Sequence, residues 1–259
     1  MAYALITGAS GGIGLALARE LALRKHDVLL VARSEPSLKQ SCQEIKEQYH
    51  VSTDYLALDL SVPDAALVVN EWVTSKGYAI DVLINNAGYG SWGNLRDISR
   101  EKLNNMMHLN MQTVADFCKV FLPALEQQKR AYIMNVSSTA AYQAVPTLST
   151  YAATKAFVLL FTRGLRFELK GTSVSVSCLS PGATSTGFID RANLGMLKEK
   201  AEKFSMKAEE VAKIAIKGMF AGKAEIVPGL LNWVSVKAVK HLPKALTEQI
   251  AANLYKTDK

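Results

Sequence analysis

Between residues 3 and 84 the chain changes repeatedly from short, β-branched apolar runs to longer stretches with helical spacing. The runs lie at about residues 3–6, 28–32, 54–58 and 81–84, and the helical patterns around 13–24, 37–49 and 65–75. Strands joined only through helices cannot close hairpins, so they pair in parallel and the crossover helices cover the sheet. Three further runs, at 131–135, 174–179 and 225–227, alternate with helical patterns near 103–127, 150–169 and 208–221. No repeat, low-complexity tract or Pro/Gly-rich linker interrupts the pattern, so one α/β domain over residues 1–259 is expected.

Directly after the first run stands Thr7-Gly8-Ala9-Ser10-Gly11-Gly12-Ile13-Gly14. Glycines are needed where a tight turn must bring backbone N–H groups and a helix N-terminus to a pyrophosphate with no Cβ in the way. Lying between first strand and first helix, this turn reads as a dinucleotide cradle. The fold expected is therefore a doubly wound Rossmann fold, with about seven parallel strands flanked by helices on both faces. At the end of the second run, where a carboxylate would bind a free 2′-hydroxyl, the sequence is Val31-Ala32-Arg33-Ser34. A guanidinium there suits a 2′-phosphate, with Ser10 adding a hydroxyl donor, so NADP(H) is favoured over NAD(H). The bland alternative is that Arg33 is a solvated loop residue.

Composition excludes more than it assigns. Cys42, Cys118 and Cys178 are far apart, with neither a CxxC nor a histidine spacing suited to zinc, so no metal site is expected. The cysteine usage, the lack of a signal-peptide pattern and the lack of a long apolar run together suggest a reduced, cytoplasmic protein. The net charge is +7, and residues 198–259, with twelve Lys against seven Asp+Glu, carry 12 − 7 = +5 of it. No aromatic interleaving or Arg cluster points to nucleic acid. The surplus could meet an anionic membrane or an acidic acyl carrier, with a solvated helix face as the bland reading.

Tyr151 is followed four residues later by Lys155, which stacks the two on one face of a helix. A phenol titrates near pH ~10 and a cation a few Å away lowers that value, so the pair can act as an acid and its tuner. Tyr255 and Lys259 repeat the spacing in a polar tail, where it reads as coincidence. Tyr151 instead opens an apolar-periodic segment, and Ser138 stands thirteen positions before it. Ser137 rivals Ser138, although strand alternation places the two on opposite sides. His26, His50, His108 and His241 lie outside this set.

These residues, together with Asp59-Leu60, Asn85-Asn86-Ala87-Gly88, Asn110, and Pro181-Gly182 followed by Thr186, occur in one order. On them the chain resembles the short-chain dehydrogenases/reductases over essentially its whole length. The resemblance implies that Gly8, Ser10, Gly12, Ile13 and Gly14 cradle the cofactor, that Asp59 holds the adenine amino group and that Leu60 presents backbone to it. Asn86, Ala87 and Gly88 would line the adenosine ribose, with the Asn pair bracing the sheet. Pro181 and Gly182 would lie beside the nicotinamide, and Thr186 would hold its carboxamide. Tyr151 would give a proton to the substrate oxygen, Ser138 would orient that oxygen, and Lys155 would bind the nicotinamide ribose. Asn110 would hold a water linking Lys155 to solvent.

An NADPH-dependent reductase of an apolar aldehyde, ketone or 3-oxoacyl substrate is thus expected, with a non-catalytic nucleotide sensor or scaffold as the alternative. Residues 185–206 read as an amphipathic substrate flap or, equally, as the core of short helices. The stretch from Leu230 to Val234 with Lys237, Lys240 and Lys244 reads as a helix at a subunit contact rather than at a membrane surface. A homodimer or homotetramer is expected from the resemblance.

Overall fold

In the computed structural model, which describes residues 2–186 and 205–254, seven parallel strands form the central sheet. They are β1 (Tyr3–Thr7), β2 (Asp27–Ala32), β3 (Thr53–Ala57), β4 (Ile80–Asn85), β5 (Ala131–Val136), β6 (Val174–Leu179) and, after an intervening two-stranded ladder, β9 (Glu225–Ile226). The order across the sheet is β3-β2-β1-β4-β5-β6-β9, so the winding reverses between β1 and β4. The doubly wound Rossmann architecture read from the alternation is the one observed.

Neighbouring residues of one strand serve opposite layers. Ile6, Leu30 and Met134 pack against α1 (Gly12–Leu23), α2 (Glu35–Tyr49) and α7 (Ala208–Phe220) through Leu17, Leu21, Ile45 and Ile216. Leu5, Leu29 and Ile133 face α3 (Ala65–Ser75) and α5 (Thr113–Glu126) through Val69, Phe117 and Phe121. Period-two alternation along β1 thus builds both cores at once, each large side chain contributing roughly 1.5–3 kcal/mol on burial. This is why β2 is buried along its whole length.

The single helical pattern expected over 103–127 is divided. Α4 (Arg100–Met107) runs into a π-helical turn over His108–Gln112 before α5 begins. A π turn inserts a residue into the helical ladder, which apolar spacing alone does not register. Helix α6 (Ser149–Glu168) then carries Tyr151 and Lys155 in its first two turns. Two-residue strands β7 (Thr184–Ser185) and β8 (Met206–Lys207) pair in parallel and bring together the ends of the expected flap, whose residues 187–204 lie outside the described residues. Tyr255 and Lys259 lie outside them as well. The last described elements are α8 (Leu230–His241) and α9 (Lys244–Leu254).

Candidate active site

At the reversal point, the C-terminal strand ends open into a cleft of about 520 Å³, the position where open α/β sheets bind ligands. Every site residue expected from the sequence lines it except Asn110, which lies fully buried behind the wall.

The turn after β1 is shaped by contact with the end of β4. Gly8 adopts φ +67°, and a Cβ on it would lie 2.8 Å from the Ala87 Cα. A Cβ on Gly14 would lie 2.4 Å from the Gly8 carbonyl oxygen, so α1 can pack this close only with glycine there. The α1 N-terminus begins at Gly11 with no side-chain cap, leaving its first N–H groups directed at the cleft where Ser10, Gly12 and Ile13 line it. Those uncapped donors fit a pyrophosphate. Asn86 holds the turn from the other side, its Nδ2 donating to the Thr7 carbonyl at 2.9 Å and the Gly8 carbonyl at 3.2 Å. The Thr7 hydroxyl accepts from the backbone of Asn86 and Ala87, each at 3.0 Å.

Arg33 stands exposed at the end of β2, beside Ser34 on the same wall. Asp59 faces it. Burial pushes the Asp59 carboxyl upward, but hydrogen bonds from the backbone and hydroxyl of Ser61 and the nearby Arg33 charge outweigh that and hold it below its ordinary value. Leu60 is buried, and its carbonyl accepts from Thr113 Oγ1 at 2.9 Å. Asn85 joins the sheet centre instead: its Nδ2 donates to Asn135 Oδ1 at 2.8 Å across β4 and β5.

Asn110 sits in the π turn, and its side chain is committed to protein partners. Nδ2 donates to the Tyr89 carbonyl at 2.9 Å and to Thr154 Oγ1 at 3.0 Å, while Oδ1 accepts from the Tyr89 backbone at 3.1 Å. The side chain therefore braces the loop after β4, at Tyr89, against α6. A Cβ on Gly88 would come within 2.9 Å of Asn110 Oδ1 and 3.3 Å of Lys155 Nζ, which is the room this arrangement requires.

Ser137 and Ser138 follow the end of β5 and both line the cleft, but their side chains have different partners. Ser137 is buried and donates to the Lys155 carbonyl at 2.7 Å, joining β5 to α6. Ser138 caps a 3-10 turn over Thr139–Tyr142, its hydroxyl accepting from the Ala140 backbone at 3.1 Å. Tyr151 lies in an apolar cluster with Met106, Val145 and Leu148, bordered by Tyr89 and Trp92. Lys155 Nζ lies 5.9 Å from the Tyr151 ring centroid and donates to the Val136 carbonyl at 2.9 Å. Its side chain is only 5% exposed, and burial lowers its pKa from 10.5 to about 8. An ammonium whose proton is held this lightly can respond to charge developing beside it.

Across the cleft, Thr186 closes on the glycine loop, since a Cβ on Gly12 would meet its side chain at 3.2 Å. Pro181 and Gly182 form the floor, and Asn232 of α8 presses on Gly182 so closely that a Cβ there would lie 2.4 Å from Asn232 Oδ1. The turn after Ser138 is also tied down from afar. The Tyr142 hydroxyl donates to Glu225 Oε1 at 2.7 Å and lies 3.1 Å from Ser180 Oγ. Glu225 in turn pairs with Arg163 at 3.1 Å and Lys240 at 3.5 Å. Sequence reading missed Thr154, Asn232 and the Tyr142–Glu225 pair. Thr154, inside the Tyr151–Lys155 interval, could have been found as the inward neighbour of that face; the others depend on contacts between distant segments.

With this geometry in hand, the comparisons with known proteins are consistent. A family model for short chain dehydrogenases matches residues 2–197. The chain is 33% identical over 192 residues to the very-long-chain 3-oxoacyl-CoA reductase of Anas platyrhynchos, the match covering 71% of this chain and 60% of that protein. It thus spans less than two thirds of that relative's length. Among solved structures, a short-chain dehydrogenase from Sphingobium yanoikuyae in complex with NADPH superposes with a TM-score of 0.82 at 28% identity, covering 93% of this chain and 94% of that one. A 7beta-hydroxysteroid dehydrogenase superposes with a TM-score of 0.86 at 28% identity, covering 97% and 96%.

Proposed function

The chain belongs to the short-chain dehydrogenases, oxidoreductases of CH-OH and C=O groups that use a nicotinamide cofactor, and on that premise we propose that it reduces an apolar carbonyl compound with NADPH. The observation carrying this reading is that Ser138, Tyr151 and the buried Lys155 share one cleft with the uncapped glycine turn.

The glycine turn and α1 N-terminus would hold the pyrophosphate, Asp59 the adenine, and Arg33 with Ser10 the 2′-phosphate. Pro181, Gly182, Thr186 and Lys155 would hold the nicotinamide end. Bound there, the nicotinamide supplies the hydride. As the carbonyl oxygen gains charge, Ser138 orients it by a hydrogen bond and Tyr151 gives it a proton. Lys155 stabilises the phenolate left behind, and Asn110 keeps the loop at Tyr89 and α6 in register.

An apolar substrate is supported by Tyr89, Ala140 and Leu148, which belong to the apolar cluster around Tyr151 and line the cleft. It also agrees with the 3-oxoacyl and hydroxysteroid activities named for the relatives. Assembly as a homodimer or homotetramer is supported by exposed Leu160 and Phe167 on α6, and a reducing cytoplasmic setting by three buried, unpaired cysteines. The test is Tyr151→Phe, assayed by NADPH absorbance on a panel of aldehydes, ketones and acyl thioesters. Cofactor affinity should hold while turnover falls roughly 10²–10⁴-fold. Unchanged turnover would remove Tyr151 from the chemistry.

A further inference from the structure

The C-terminal helices leave apolar side chains in solvent beside the cleft. In α8, Leu230 and Leu231 are 76% and 75% exposed, and Trp233 and Val234 are each 49% exposed, while Val236 alone of this helix is buried. In α9, Leu246, Ile250 and Leu254 repeat every four residues and are all exposed, on a stripe bordering the buried Thr247 and Ala251. Isolated exposed leucines need no explanation, but a helix with most of its apolar residues outward does.

Charge indicates what covers it. Residues 230–254 hold Lys237, Lys240 and Lys244 against Glu248, 3 − 1 = +2. Lys240 is engaged with Glu225, but among the described residues neither Lys237 nor Lys244 has a carboxylate partner. Lys237 Nζ lies 5.7 Å from the Trp233 ring centroid, so cation and aromatic share one edge of the apolar face. Lysine is depleted from protein interfaces, which argues against a second copy of the chain as the cover. A tryptophan and lysines bordering a leucine face match a lipid headgroup layer instead. No helix among the described residues is long and apolar enough to cross a membrane, and the twelve residues of α8 suit lying in the interface plane.

We propose that α8, continued by α9, docks this face on an anionic lipid bilayer. Asn232, between Leu231 and Trp233, touches Gly182, so docking would bring the cleft floor close to the lipid surface. The docking does not depend on the reaction proposed above, although a lipid-derived carbonyl would be well presented by it.

The full chain is sedimented with phosphatidylcholine vesicles and with vesicles containing about 30% phosphatidylglycerol, at low and high salt. Binding is expected to the anionic vesicles, to weaken with salt, and to shift Trp233 emission to the blue, a shift absent in Trp233→Phe. Replacing the two unpaired lysines (K237E/K244E) should lower partitioning about 30-fold or more, and L231S/V234S should abolish it. All the side chains replaced are exposed, and circular dichroism checks that each variant remains folded. Absence of binding by the folded wild-type chain overturns the proposal. It is equally overturned if L231S/V234S converts a dimer to monomer while vesicle binding is never seen, which would make the face a contact between copies.

Discussion

Two cations line the same cleft and differ in almost everything but charge. Lys155 is held inside α6, its Nζ fixed on the Val136 carbonyl and its pKa lowered by burial to about 8. Arg33 stands in solvent at the end of β2. Keeping the first charge indoors costs on the order of 3 kcal/mol at neutral pH, a burden only function justifies. The second costs little to keep and can contribute only what a partly solvated charge contributes. Burial turns a cation into a tunable chemical group, whereas exposure leaves it as a recognition handle.

The strongest way to break this contrast is Lys155→Met, which keeps volume and removes charge. Turnover should fall by about 10²-fold or more, while thermal unfolding should show the variant no less stable than the parent near pH 7. The pH dependence supplies the mechanism. Below pH ~8 folded and unfolded chains both hold the Lys155 proton and the burial cost is full. As pH rises from about 8 towards 10.5 the folded state releases it first, so stability gains relative to Lys155→Met, measured by denaturant unfolding of both proteins. Over the same range kcat/KM of the parent should decline by about tenfold per pH unit. A flat profile would mean that the lysine charge is not used.

A smaller effect tests the other cation. Arg33→Ala should weaken NADPH by about 1–3 kcal/mol, roughly 5- to 150-fold in Kd by fluorescence titration, and leave NADH nearly unchanged. Equal losses for the two cofactors would refute contact with a 2′-phosphate and make Arg33 a surface residue that happens to face Asp59.

The same contrast explains how much could be read beforehand. Strand alternation, the glycine turn and the Tyr151–Lys155 spacing are local patterns, and the structure gathers them where the sheet reverses. Strand parity alone does not separate Ser137 from Ser138, because β5 ends at Val136 and both line the cleft; their hydrogen bonds do. The side-chain partners of Asn110, Tyr89 and Thr154, were not legible, because they meet through a π turn that spacing does not reveal. Asn232 pressing on Gly182 depends on α8 returning to the cleft from fifty positions away, and no local signal encodes that approach.

The finest probe of the contrast is Tyr142→Phe, which touches neither cation directly. Tyr142 ties the turn after Ser138 to Glu225, and Glu225 is shared with Arg163 on α6 and Lys240 on α8. Removing the hydroxyl leaves the carboxylate with both cations, so no buried charge is stranded and the stability cost should stay near 1 kcal/mol by denaturant unfolding. If the pair positions Ser138, kcat should fall a few-fold with cofactor Kd unchanged, because the turn loosens where the substrate oxygen is held and not where the nucleotide lies. If stability drops but kcat does not, the network is a brace for α8 alone. The Ser138 wall would then be set locally, by its own cap to Ala140, whereas the glycine turn depends on Asn86 from 79 positions away.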